Sequence, residues 1–152
     1  GERVPRHRLI RNLIEMGEYD RAETELRIFE KDLRRDGPSA RYGVMLLRYR
    51  ALRSPGVLNE DRLAILAEAL NVAVASVQRF RYYLPLMVEY AEVAFQLFAR
   101  TGQTTAYDEA MAAMRTAGED SGDPEYTRAI ARFEARMLGN DGTRGVTAHE
   151  EA

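Results

Sequence analysis

"GEYDRAE", residues 17–23, lies between two stretches of helical periodicity, and an echo of it returns as "YDEA", residues 107–110, soon after Gly102. A glycine at a helix junction can take φ > 0 and reverse the chain within a few residues. A tyrosine just past it can pack across the helix pair. An alanine further on lets the second helix lie close against the first. The two stretches therefore read as tight helix–helix turns, and they decide the fold class.

Nothing around them reads as strand, because period-2 alternation is absent. Helical spacing recurs instead. Leu9, Leu13 and Met16 share one face of a first helix that starts near Pro5 and ends at Gly17. Ala22, Leu26, Phe29 and Leu33 form the stripe of a second, closed by "DGPS" (36–39). A third, about 39–53, carries Tyr42, Met45, Tyr49 and Leu52. A fourth begins near Asn59 or Asp61 and carries Leu63, Ala67, Leu70, Val74 and Val77. The fifth, from Pro85 to Arg100, is apolar nearly all round and should lie between neighbours. The sixth, about 105–117, uses Tyr107, Ala110, Met111, Met114 and Ala117 before "GEDSGDP" (118–124) breaks the chain. The seventh, about 124–138, uses Tyr126, Ile130, Phe133 and Met137. Residues 139–152 are polar and glycine-bearing and read as a disordered tail, leaving 1–138 as the domain.

About seven antiparallel helices result, pairing as 5–35, 39–78 and 82–117 with a lone last helix as a cap. The turn at 17–22 resembles that of a tetratricopeptide repeat, whose usual form is similar to Gly-Asp-Tyr-Asp-Glu-Ala. Gly17, Tyr19, Asp20 and Ala22 match it directly, Leu9 suits the large position upstream, and Leu26 the one downstream. Gly102, Tyr107, Asp108, Glu109 and Ala110 match with three extra residues in the turn, and Ala117 falls on a further small position. Ile10 and Phe29 depart from the pattern, the closing proline is displaced to Pro38, and residues 39–78 carry no motif. Gly17 and Gly102 are 85 residues apart. That is about 42 per repeat, longer than the usual tetratricopeptide unit. The resemblance implies an all-α, right-handed α-solenoid of stacked helix–turn–helix pairs. A generic helical bundle with a good turn at 17–22 accounts for the same residues.

Composition narrows the chemistry. With no Cys, disulfides and thiolate metal sites are excluded. The only histidines, His7 and His149, sit at opposite ends, which argues against a histidine metal site or a catalytic triad. No phosphate loop, HExxH or nucleophile elbow is present, so no catalytic residue, metal or cofactor is assigned. A net charge of −2 argues against nucleic acid as the main partner. No segment suits a membrane span, no apolar leader opens the chain, and the expected location is cytoplasmic. Starting on Gly rather than Met, the chain reads as a piece of a longer protein. Lys31 is the only lysine, and the arginine bias is chain-wide, which points to coding composition rather than local selection.

The resemblance further implies a concave groove lined by the first helix of each pair, here 5–16, 39–53 and 85–100, receiving a peptide or helical segment of another protein. Carried onto this chain, its residues are Arg8, Arg11, Arg41, Arg48, Tyr49, Glu89 and Glu92. His7 and Arg11 fall near two positions of the family's peptide clamp, where Lys and Asn are usual. Glu89 and Glu92, with Gln96, share a helical face. They suit acid–base or metal chemistry, or more simply the solvent side of a buried helix. "QRFRYYLP" (78–85) interleaves Arg79 and Arg81 with Phe80, Tyr82 and Tyr83. Solvated arginines, an acidic-peptide grip, and base stacking all remain open for it. The expected function is a non-catalytic interaction or scaffold module. Self-association through an end face of Tyr126, Phe133 and Met137 is the alternative.

Overall fold

Gly17 stands at φ 82° and closes the first helix with a double hydrogen bond. Its own N–H donates to the Ile14 carbonyl at 3.1 Å, and the Glu18 N–H donates to the Leu13 carbonyl at 2.9 Å. Both otherwise orphaned carbonyls are satisfied by one left-handed residue. Gly102 takes φ 76° at the later turn, and its N–H donates to Phe98 at 2.8 Å. Both quoted turns form as their sequence predicts.

The computed structural model describes the backbone of residues 3–151 and the side chains of residues 3–140. Within these the protein is all-α: α1 (Arg3–Glu15), α2 (Tyr19–Asp32), α3 (Gly37–Arg53), α4 (Asn59–Arg79), α5 (Leu84–Thr101), α6 (Thr105–Ser121) and α7 (Pro124–Glu151). Packing is mainly between sequence neighbours, α1 on α2, α2 on α3, α3 on α4 and α6 on α7, with α1 also against α3. The chain divides into two units, residues 1–93 and 94–152, with the boundary inside α5.

In the first unit the core joins Ile10, Leu13 and Ile14 to Ala22, Leu26 and Phe29 and to Tyr42, Met45, Leu46 and Tyr49, with Tyr19 and Leu33 at its margin. The stripe of α2 is the expected one. That of α1 is not: Leu9 is 38% and Met16 72% exposed, while Ile10 is buried. Leu9 and Ile10 adjoin, so two phases of one helix are equally apolar, and packing on α2 and α3 selects the Ile10–Leu13–Ile14 edge. The α4 stripe is corrected likewise. Leu66, Ala69, Ala73, Ser76 and Val77 are buried, whereas Ala67 is exposed. That face alternates the small Ala69, Ala73 and Ser76 with Leu66 and Val77, α4 packs on α3, and Leu63, Leu70 and Val74 are half-buried.

Asp36 begins α3 two residues earlier than expected. The Ser39 N–H donates to its carboxylate at 2.8 Å and the Asp36 N–H donates to the Ser39 hydroxyl at 2.9 Å, a reciprocal cap. The same carboxylate accepts from Arg3 at 2.8 Å and meets His7 at 3.1 Å, which ties α1 to the start of α3. His7 in turn rests on Phe29, ring centroids 4.8 Å apart. Although Asp, His and Ser meet here, the carboxylate lies between the other two. The histidine is therefore not placed to activate the serine, and the group is structural.

In the second unit α6 buries Tyr107, Ala110, Met111, Met114 and Ala117, all as the pattern predicts. The helix does not break at Gly118 but continues to Ser121, and Gly122 at φ 70° ends it. Gly118 is small for a packing reason: a Cβ there would lie 2.9 Å from the Tyr126 Cβ. Met137 is half-buried, and of the expected end face Tyr126 and Phe133 are only 1% and 5% exposed. They pack inward because α7 lies on α6, and the Arg136 guanidinium covers Phe95 at 4.2 Å. The expected tail at 139–152 falls mostly on residues 141–152, outside the described side chains.

Two outcomes follow from this packing. In an ordinary helix interior Gly→Ala is stabilising by about 1 kcal/mol. Gly118→Ala should instead destabilise by about 1–3 kcal/mol in urea unfolding, because Tyr126 must move. A stabilised variant would refute the contact. For Asp36, burial raises the pKa, but the Ser39 amide and hydroxyl and His7 outweigh it and hold the group below its ordinary 3.8. Its contribution is present above that value and disappears as pH falls through the lower folded value. Asp36→Asn should therefore be less stable by about 1 kcal/mol at neutral pH, with the gap closing in acid. A gap independent of pH in denaturant titrations would show that the charge contributes nothing.

Candidate functional site

Of the groove residues expected from the sequence, Arg48 and Glu89 meet inside the first unit. Arg48 Nε donates to Glu89 Oε2 at 2.9 Å and Nη2 donates to Oε1 at 3.1 Å, a bidentate pair between α3 and α5. The side chains are 15% and 6% exposed. The reading of Glu89 as a solvent-facing carboxylate is therefore corrected. A charge on so apolar a helix is tolerated in the interior only with a partner, and Arg48 supplies it. Burial alone would lower the Arg48 pKa, but the Glu89 hydrogen bonds and charge, with Glu92 beyond, raise it. Glu92 is half-buried on the same helix, and Gln96 accepts from Arg100.

The others are placed around this pair. Tyr49 is buried between two guanidiniums, Arg48 at 4.9 Å and Arg53 at 4.0 Å from its ring. Arg11 is exposed and engaged with Glu15 at 3.2 Å, which is the main cause of its raised pKa, and it also senses Tyr42 and Tyr49. Arg8 is exposed on α1. Arg41 is half-buried; its Nε has no hydrogen-bond partner among the described residues. Among the repeat-motif residues, Gly17 and Gly102 form their turns and Ala22, Tyr107 and Ala110 are buried. Tyr19 is half-buried against the core.

A different surface opens where the α4–α5 turn meets the start of α3. A cleft of about 490 Å³ is lined by Arg79, Phe80, Arg81, Tyr82 and Tyr83 on one side and Gly37 and Pro38 on the other. Gly37 is what allows the walls to approach, since a Cβ there would sit 2.8 Å from the Tyr83 ring. Burial raises the Tyr83 pKa despite the opposing Arg41 charge, so its hydroxyl stays protonated at neutral pH. Tyr82 is 54% exposed. The sequence supplied this arginine–aromatic run. The opposite wall, some 40 residues earlier, came only from the fold.

No group of three or more His, Asp or Glu that could hold a metal ion occurs among the described residues, and no helix there is long and apolar enough to cross a membrane. Compared with protein-family models, with curated proteins and with solved structures, the chain matches none. What the arrangement offers chemically is cationic and aromatic contact at an open cleft. Its neighbouring ion pair is spent inside the fold.

The pair's own energetics are testable. Arg48→Met and Glu89→Met should each cost about 3 kcal/mol, because each leaves one buried charge uncompensated. The double variant should cost far less than their sum. Strictly additive losses in a double-mutant cycle would show that the two charges are not coupled.

Proposed function

We propose that the chain is a non-catalytic, cytoplasmic interaction module built from tetratricopeptide-like helix pairs, which holds a segment of a partner protein within a larger protein or assembly. The observation that carries the reading is the open arginine–aromatic cleft at the α4–α5 turn. Tyrosine offers rigid contact area at low entropic cost, and arginine adds directional hydrogen bonding. Both types are enriched where binding energy concentrates.

The repeat arrangement is supported by the packing of α1 on α2 and α3 on α4, with α1 against α3. Two tie points also align α3 and α5 in the same sense: Tyr83 against Gly37 before and at their starts, and Glu89 with Arg48 further along. Alternate helices of stacked pairs run this way. Arg8 and Arg11, exposed on α1, belong to the same reading as a secondary contact area.

The test is affinity capture from lysate of the source cells by the wild-type chain and by Arg79→Ala and Tyr82→Ala variants of unchanged helicity. A defined protein retained by the wild type and depleted at least several-fold by both variants is the expected outcome. A partner held equally by all three would move docking to the Arg8–Arg11 surface. Capture of no protein at all would sink the module reading.

A further inference from the structure

The 490 Å³ cleft adjoins a second of about 250 Å³, and the two share Arg79 and Phe80. Together their walls carry three guanidiniums, Arg35, Arg79 and Arg81, and three aromatic rings, Phe80, Tyr82 and Tyr83. No carboxylate lines either. This is unusual for the chain, in which acidic residues outnumber basic ones, 24 to 22. Arg35 is already occupied, with Nε and Nη2 donating to Glu30 at 3.1 and 3.0 Å. Arg79 is exposed, forms no ion pair among the described residues, and flanks the Phe80 ring at 5.2 Å. Its planar fork is therefore available beside an apolar ring.

We infer that this corner receives an acidic peptide segment, one that places carboxylates on Arg79 and Arg81 and an aromatic or aliphatic side chain against Phe80 and Tyr82. The inference rests on the docking reading above and names the partner's chemistry. A guanidinium meets a carboxylate in two parallel hydrogen bonds, and desolvation by neighbouring rings strengthens them. The observations favour a peptide over nucleic acid. A phosphate backbone draws on a track of successive cations. Here the positive stretch is short and is bounded by Glu30, which holds Arg35, and by Asp36, whose charge reaches Tyr83. Residues 1–93 hold sixteen basic against fourteen acidic side chains, so no wider basic field surrounds the corner.

The test uses fluorescence anisotropy with three labelled probes: a short peptide of alternating Glu and Phe, its Gln-for-Glu counterpart, and a thymidine oligonucleotide. The proteins are the full chain, R79E/R81E and Y82A, each first checked for wild-type helicity and thermal midpoint. The acidic peptide should bind the wild type. Removing its carboxylates, or reversing both arginines, should weaken binding roughly tenfold or more, the scale of two lost charge-assisted contacts. Y82A should weaken both peptides several-fold. Equal binding of the Gln peptide, with Y82A still defective, would overturn the acidic preference and leave the docking site standing. Binding insensitive to every variant, or no peptide binding at all, would overturn site and preference together. Tighter binding of the oligonucleotide than of the acidic peptide would assign the corner to nucleic acid instead.

Discussion

The buried pair of Arg48 and Glu89 is the constraint around which the first unit is arranged. α5 has no exposed residue from 84 to 99, and the Glu89 side chain in its first half is only 6% exposed. An unpaired charge there would cost about 3 kcal/mol, a large share of a domain's net stability of about 5–15 kcal/mol. The register that brings Glu89 to Arg48 is therefore strongly favoured. With that register fixed, the residues just before α5 cannot wander: Tyr83 falls against Gly37, and the arginine–aromatic run is displayed at the corner. The pair expected to line a groove is instead buried between α3 and α5.

Legibility in the sequence tracked how sharply each helix distinguishes its faces. α2 and α6 each have one apolar stripe bordered by charges, and their cores, Ala22–Leu26–Phe29 and Tyr107–Ala110–Met111–Met114, follow directly from spacing. α1 and α4 are ambiguous because apolar residues lie on adjoining faces. The deciding factor is then the neighbour: α4 packs on α3 and buries Leu66, Ala69, Ala73, Ser76 and Val77, leaving Leu63, Leu70 and Val74 half-buried. Gly118 misled for a related reason. Read alone it is a helix stop, but it is an interior position whose missing side chain makes room for Tyr126. Gly17 and Gly118 carry the same local signal, yet one takes φ 82° at a helix end and the other stays helical against Tyr126.

The site divides in the same manner. Residues 78–83 are legible because their interleaving of Arg with Phe and Tyr is local. Arg48 and Glu89 lie 41 residues apart, and nothing in either stretch points to the other. The clue that was present is the rarity of a carboxylate on an otherwise apolar helix, and it is two-sided. Such a residue either faces water or has a buried partner, and the local stretch favoured the first because the partner lies outside it.

Arginine is used across the fold for jobs that depend on its planar fork. Arg50 spans Asp20 and Glu23 at 3.1 and 2.8 Å, joining α3 to α2; Arg62 donates to the Ala51 carbonyl at 3.0 Å; Arg136 lies over Phe95. A chain-wide bias in coding composition explains why arginine is abundant, but not why each of these guanidiniums finds a carboxylate, carbonyl or ring. Exposed pairs such as Arg115–Glu134, with both side chains about half exposed, contribute little to stability, so their loss is cheap. Their effect is on the field outside. Wherever arginine is matched to a local carboxylate, the surface is close to neutral. The α4–α5 corner is lined by Arg35, Arg79 and Arg81 and by no carboxylate, although Glu30 holds Arg35 from just outside it. Where other arginines of the fold are matched to a carboxylate, Arg79 at this corner stands exposed beside the Phe80 ring.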